Sequence, residues 1–151
     1  DTHNFAVNHV SWNPSRDYEL MTASFGNKIK LWDVRMVGRG EKRKAGEDAE
    51  QEACAPIRVL QGHAMLFDGQ RGGIYHPLYV GGGEFVATPG AKTDAVSLFD
   101  AGSGALVSKG STSIGEVSTL ASCDLSGTRL AASRGGRVVL LDSCWTLSDK
   151  N

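Results

Sequence analysis

From Val7 to Asp33 apolar and polar positions alternate in three short bursts separated by turn residues. Val7, His9 and Ser11 alternate with Asn8, Val10 and Trp12, giving the period of two that a half-buried strand requires. Asn13-Pro14-Ser15-Arg16-Asp17 then carries turn chemistry, because proline presets φ while Asn, Ser and Asp side chains hydrogen-bond their own backbone. Leu20 to Ser24 predicts a second short strand, and Phe25-Gly26-Asn27 predicts a hairpin turn. Lys28 to Asp33 alternates again and ends in Trp32-Asp33.

The same grammar recurs twice. The second copy predicts strands at Gly73 to Pro77, Glu84 to Thr88 and Ala95 to Asp100, with Phe99-Asp100 where the first has Trp32-Asp33. The third predicts strands at Val117 to Ser122, Arg129 to Ser133 and Arg137 to Asp142, with a turn over Asp124-Leu125-Ser126-Gly127. The closing residues Asp33, Asp100 and Asp142 are 67 and 42 positions apart, so the first interval holds an insertion, seen at Met36 to Pro56. Fourth strands are predicted at Ile57 to Gln61 and Ala105 to Lys109. Gly62-His63 precedes the second copy, and Thr2-His3 stands in the equivalent place before the first.

Antiparallel strands closed by Trp-Asp at a period of about 40 to 45 residues resemble the WD-repeat family. The resemblance implies an all-β fold, a β-propeller of about three four-stranded antiparallel blades. Blade 1 covers about 5–61 with its flexible insertion at 36–56, blade 2 about 72–109 and blade 3 about 115–145. Three blades make an arc, whereas propellers close with ~4 to 8. The chain opens in mid-pattern at Asp1, so the expectation is the C-terminal part of a larger propeller of about seven blades. The alternative is a small β-domain that closes its ring by oligomerising.

Composition narrows the partners. A formal net charge of -1 predicts no general attraction to nucleic acid or to an anionic membrane, so either would need a local patch. Cys54, Cys123 and Cys144 form no CxxC pair and are odd in number, which argues for reduced thiols over a disulfide framework. No apolar run approaches the roughly 18 residues of a membrane span. The insertion runs basic (Arg39, Lys42-Arg43-Lys44) and then acidic (Glu47-Asp48, Glu50, Glu52) without apolar periodicity. It reads as a surface loop, or as a nuclear-localisation or phosphate-contact cluster.

Catalytic chemistry is not expected. Gly81-Gly82-Gly83 lacks the helix and lysine of a phosphate loop, and Gly102-Ser103-Gly104 lacks the strand-to-helix setting of a nucleophile elbow. No metal-ligand spacing is present, and neither a cofactor nor a small-molecule substrate is expected. The WD-repeat resemblance implies instead a buried network that locks a blade, with His3, Ser24 and Trp32 as members of the first and His63 opening the next. Gly26 stands where that network normally has an acid. His9 has no assigned role, and His76 before Pro77 reads as structural.

Leu20 to Arg35 also resembles the sixteen-residue box of WD-repeat substrate receptors of cullin-type ubiquitin ligases, ending Trp32-Asp33-Val34-Arg35. That likeness implies an adaptor-binding role for Trp32, Asp33 and Arg35, since a planar guanidinium makes several directed bonds at a rim. The other reading of WD-x-R is blade architecture alone. The order of features in the last two blades is similar to the damaged-DNA-binding WD-repeat family, the small subunit of the ultraviolet-damage complex, and its chromatin-associated relatives. This implies a nuclear module that binds DNA or chromatin, takes part in DNA repair and lacks enzymatic activity. The family's wedge hairpin corresponds to His63 to Gly72, so the resemblance implies Phe67 as the wedge and Arg71 as a phosphate contact, with Lys92 a further DNA-binding residue. The competing class is a protein-interaction scaffold without a nucleic-acid role. Convergence of Lys28, Lys30, Arg71, Lys92, Arg134 and Arg137 on one rim would distinguish them.

Overall fold

The computed structural model describes residue 3 and residues 6–26, 28–36, 55–61, 76–89, 94–122 and 129–142. Eleven strands lie within them: β1 (Val7–Trp12), β2 (Glu19–Ser24), β3 (Lys28–Asp33), β4 (Arg58–Gln61), β5 (Leu78–Val80), β6 (Phe85–Pro89), β7 (Ala95–Asp100), β8 (Leu106–Ser111), β9 (Thr119–Ser122), β10 (Arg129–Arg134) and β11 (Arg137–Asp142). They form three antiparallel sheets in simple chain order, β1-β2-β3-β4, β5-β6-β7-β8 and β9-β10-β11. Two single 3₁₀ turns, Val34–Met36 and Gly81–Gly83, complete the regular structure, and no α-helix occurs among the described residues. The all-β class and the three-blade arrangement read from the sequence are those of the structure.

Alternation explains how the sheets stack. In sheet one Met21, Ala23, Ile29, Leu31 and Leu60 share a face and pack against Val86, Phe99 and Ala101 of sheet two. The opposite face of sheet two presents Val80, Ala87, Val96 and Leu98 to Val117, Leu120, Leu130 and Ala132 of sheet three. Strand β7 is therefore buried on both faces: Val96 and Leu98 point one way, Phe99 the other, and the first five of its six residues are buried. The outward faces are different. Val10 and Trp12 on sheet one, and Val138 and Leu140 on sheet three, are apolar and more than half exposed.

Several boundaries differ from the sequence reading. The first strand of the second sheet is Leu78–Val80, after His76-Pro77, because proline lacks the N–H a ladder needs and leads into the strand from outside it. Gly73 to Tyr75, the start expected for that strand, lie outside the described residues, as do 37–54, where the insertion falls, and 124–127, where a turn was expected. Strand β9 starts at Thr119, with Val117 serving as a core residue ahead of it. The third sheet has three strands among the described residues, where the first two have four.

The turn at 81–83 carries positive φ at all three glycines. At Gly83 the surrounding structure adds a second demand, since a Cβ there would collide with the carboxamide of Asn13 from the neighbouring sheet.

Candidate functional site

Two polar constellations sit on the first sheet. The inner one is built around Thr22. The register pairs Leu20 with Trp32 and Thr22 with Lys30, so Thr22 lies diagonally beside the indole on the same face. Trp32 Nε1–H donates to Thr22 Oγ1 at 2.8 Å, and His3 Nε2 lies 2.8 Å from the same oxygen. The His3 and Trp32 rings are 6.4 Å apart. The relay closes when Thr22 gives its own proton to His3 Nε2, which requires a neutral imidazole. Burial, helped by the charge of Lys30, pushes the His3 pKa below its ordinary value and favours that form. Ser24, expected as the hydroxyl of this network, lies two residues further along β2; it is buried and accepts from Gly26 N–H instead. Trp32 and His3 thus meet on one hydroxyl, that of Thr22, a residue the sequence reading did not include.

The outer constellation is the WD-x-R end. Asp33 finishes β3, and Arg35 turns back over it: Nε donates to Oδ1 at 2.9 Å and Nη2 to Oδ2 at 2.7 Å. The Arg35 backbone N–H also donates to Asp33 Oδ1. The guanidinium carbon lies 3.6 Å from the centre of the Tyr18 ring. An exposed ion pair is screened by solvent and adds little to stability, so its chief effect is on geometry. Asp33 and Tyr18 hold a side chain that is 57% exposed in one orientation at the rim.

A third cluster, absent from the sequence reading, ties sheet one to sheet two. Glu19 is only 3% exposed. Its carboxylate accepts from Asn13 Nδ2 (2.7 Å), Arg16 Nη1 (2.9 Å) and Tyr79 O–H (3.2 Å). Asn13 Nδ2 donates also to Gly83 O, while its Oδ1 accepts from the N–H groups of Ser15 and Arg16. Burial and the Glu19 charge together push the Tyr79 phenol well above the usual tyrosine range. A buried carboxylate is tolerable only when its lone pairs are met, and here three donors meet it. The signal was present in part: Asn13-Pro14 announces a turn whose side chain bonds its own backbone, but its reach to a glycine 70 residues away is invisible from local pattern. A second seam contact, Arg58 Nε to Gly102 O at 2.5 Å, joins β4 to the turn after β7.

The remaining site residues fall elsewhere. Phe67, Arg71, Lys92 and His63 lie outside the described residues. Lys28 and Lys30 belong to sheet one, and Arg134 and Arg137 to the β10–β11 hairpin of sheet three. No group of three or more metal-ligating side chains occurs among the described residues, and no helix there is long and apolar enough to cross a membrane.

No protein-family model matches the sequence. Among solved structures the chain is similar to the WD40 β-propeller domain of Doa1, with a TM-score of 0.61 and 14% identity over 91% of this chain. The chain spans about a third of that one, 36% of its length. At this identity the likeness concerns the fold, which is that of consecutive WD40 propeller blades. The narrower damaged-DNA-binding branch finds no support in it.

Proposed function

We propose that these blades form a non-enzymatic protein-binding scaffold whose first rim, at Arg35, docks the adaptor propeller of a cullin-type ubiquitin ligase. The observation that carries this reading is the posture of Arg35, which is exposed yet held by Asp33 and stacked over Tyr18. A long cation that is already oriented loses less side-chain entropy on binding, and the WD40 fold is a scaffold on which rims meet protein partners. Arg35→Ala and Arg35→Lys are both expected to weaken capture of the purified adaptor at least ~10-fold, because lysine lacks the planar fork. The melting temperature should stay close to that of the parent, as for other surface substitutions. Unchanged capture would reduce the WD-x-R end to blade architecture.

The second reading is a nuclear DNA- or chromatin-binding role. One observation favours it: Arg134 and Arg137 are exposed and directly opposite each other across the β10–β11 hairpin. Like charges facing across strands are destabilising, a cost that a bound polyanion would relieve. The test is salt dependence. Removing one phosphate-contacting cation, by Arg137→Ala or Arg71→Ala, lowers the slope of log affinity against log salt by about one. Phe67→Ala leaves that slope unchanged and removes any preference for distorted duplex. Absence of salt-sensitive DNA binding eliminates this reading and leaves the scaffold.

A further inference from the structure

The seam between the first two sheets carries a histidine pair that neither constellation uses. His9 lies on β1 and His76 just before β5, and their Nδ1 atoms are 3.0 Å apart. The rings meet edge-on at 61° with centroids 5.1 Å apart. This end-to-end approach places both Nδ1 atoms on one line, which suits a shared proton; a chelated ion would need the lone pairs to converge on a third point. The other face of the His9 ring is also engaged, with Nε2 3.2 Å from Ser11 Oγ. Two nitrogens at 3.0 Å can bond only if one carries a proton and the other does not.

We propose that His9 and His76 form a proton-sharing clasp between the first two blades, closed when one ring donates to the other and opened by acid. The surroundings allow this. His9 faces Ser11 on its own strand, Ala23 opposite on β2, and His76 across the seam. Glu19, the first residue of β2 and ion-paired with Arg16 of the preceding turn, is four residues from Ala23, about 13 Å along the strand at ~3.3 Å per residue. Among the described residues no carboxylate is hydrogen-bonded or ion-paired to either ring. Burial first, and His76 second, hold the His9 pKa below its ordinary 6.5. The sign follows: the unfolded chain takes up the proton more readily, so this contribution is present above about pH 6.5 and is lost as pH falls through the folded value.

The test needs a local readout, because His3 titrates in the same direction. Hydrogen–deuterium exchange at the imidazole C2 position, followed peptide by peptide from pH 4.5 to 8.5, gives each histidine its own midpoint in the whole chain. His9 is expected to titrate below 6.5, and His76→Gln is expected to raise that midpoint, because glutamine removes the facing charge and keeps a polar partner. His9→Gln, the reciprocal variant, should flatten the fall in melting temperature between pH 7.5 and 5.5 relative to the parent chain. A His9 midpoint at 6.5, or one that His76→Gln leaves in place, overturns the clasp. So does a parent chain in which added zinc removes both titrations at once, since that would make the pair a metal site.

Discussion

Thr22 is the residue on which the first blade turns. One hydroxyl serves both the Trp32 indole and the His3 ring, and both partners are buried. Thr22→Val keeps the shape and removes the hydroxyl, leaving two buried groups unmet, so it should cost about 1–3 kcal/mol for each in urea unfolding. Thr22→Ser should recover most of that. The lesion should also be pH-dependent: with its hydroxyl partner gone, neutral His3 is less favoured, so the parent's loss of stability as pH falls below about 6.5 should be shallower in Thr22→Val. Ser24→Ala, by contrast, removes an acceptor from a turn N–H and should cost no more than about 1 kcal/mol.

At the scale of elements, some six-residue strands were legible to the residue, while others of the same length, Glu19–Ser24, Leu106–Ser111 and Arg129–Arg134, begin or end one or two residues from where the pattern put them. Lys28–Asp33, Ala95–Asp100 and Arg137–Asp142 all stand where the pattern put them. Shorter strands were not, for identifiable reasons. Leu78-Tyr79-Val80 is three residues between a proline and three glycines, too short for alternation to register. The hydroxyl shared by His3 and Trp32 was not legible to the residue: Ser24 and Thr22 share a face, and only the strand register shows which one is diagonal to Trp32. The Glu19 cluster and the histidine clasp were illegible, since each joins residues about 60 to 70 positions apart. The Gly81–Gly83 turn gives an element-scale test. Gly83→Ala must strain a backbone at φ +94° and also displace Asn13, which would unseat a donor of Glu19. Strain alone costs about 1–3 kcal/mol, so the expected loss of stability in denaturant titration lies at or above the top of that range.

Across the whole molecule, sheet two is the member that both packed cores share. Phe99 belongs to the first core and Leu98 to the second, although they are neighbours on one strand. Phe99→Ala should therefore cost about 3–5 kcal/mol, and Leu98→Ala about 2–5, each read from the urea midpoint. Leu140→Ala removes a side chain that is 69% exposed and should shift stability by no more than about 0.5 kcal/mol. Because β7 is held from both sides, the three sheets should melt in one transition when followed separately by Trp fluorescence and by far-ultraviolet circular dichroism.

Shared burial on one strand also sets a clock. The amides of β7 are laddered to β6 on one side and β8 on the other, under a core on each face. Those of β1 and β11 sit at sheet edges, each with one strand neighbour among the described residues. Openings that release a backbone amide to solvent are cheapest where few buried contacts break with them. In deuterated water the label should thus enter from the two ends of the arc and reach the middle of the second sheet last. A chain labelled briefly and digested would carry its protium as a single band centred on residues 95–100.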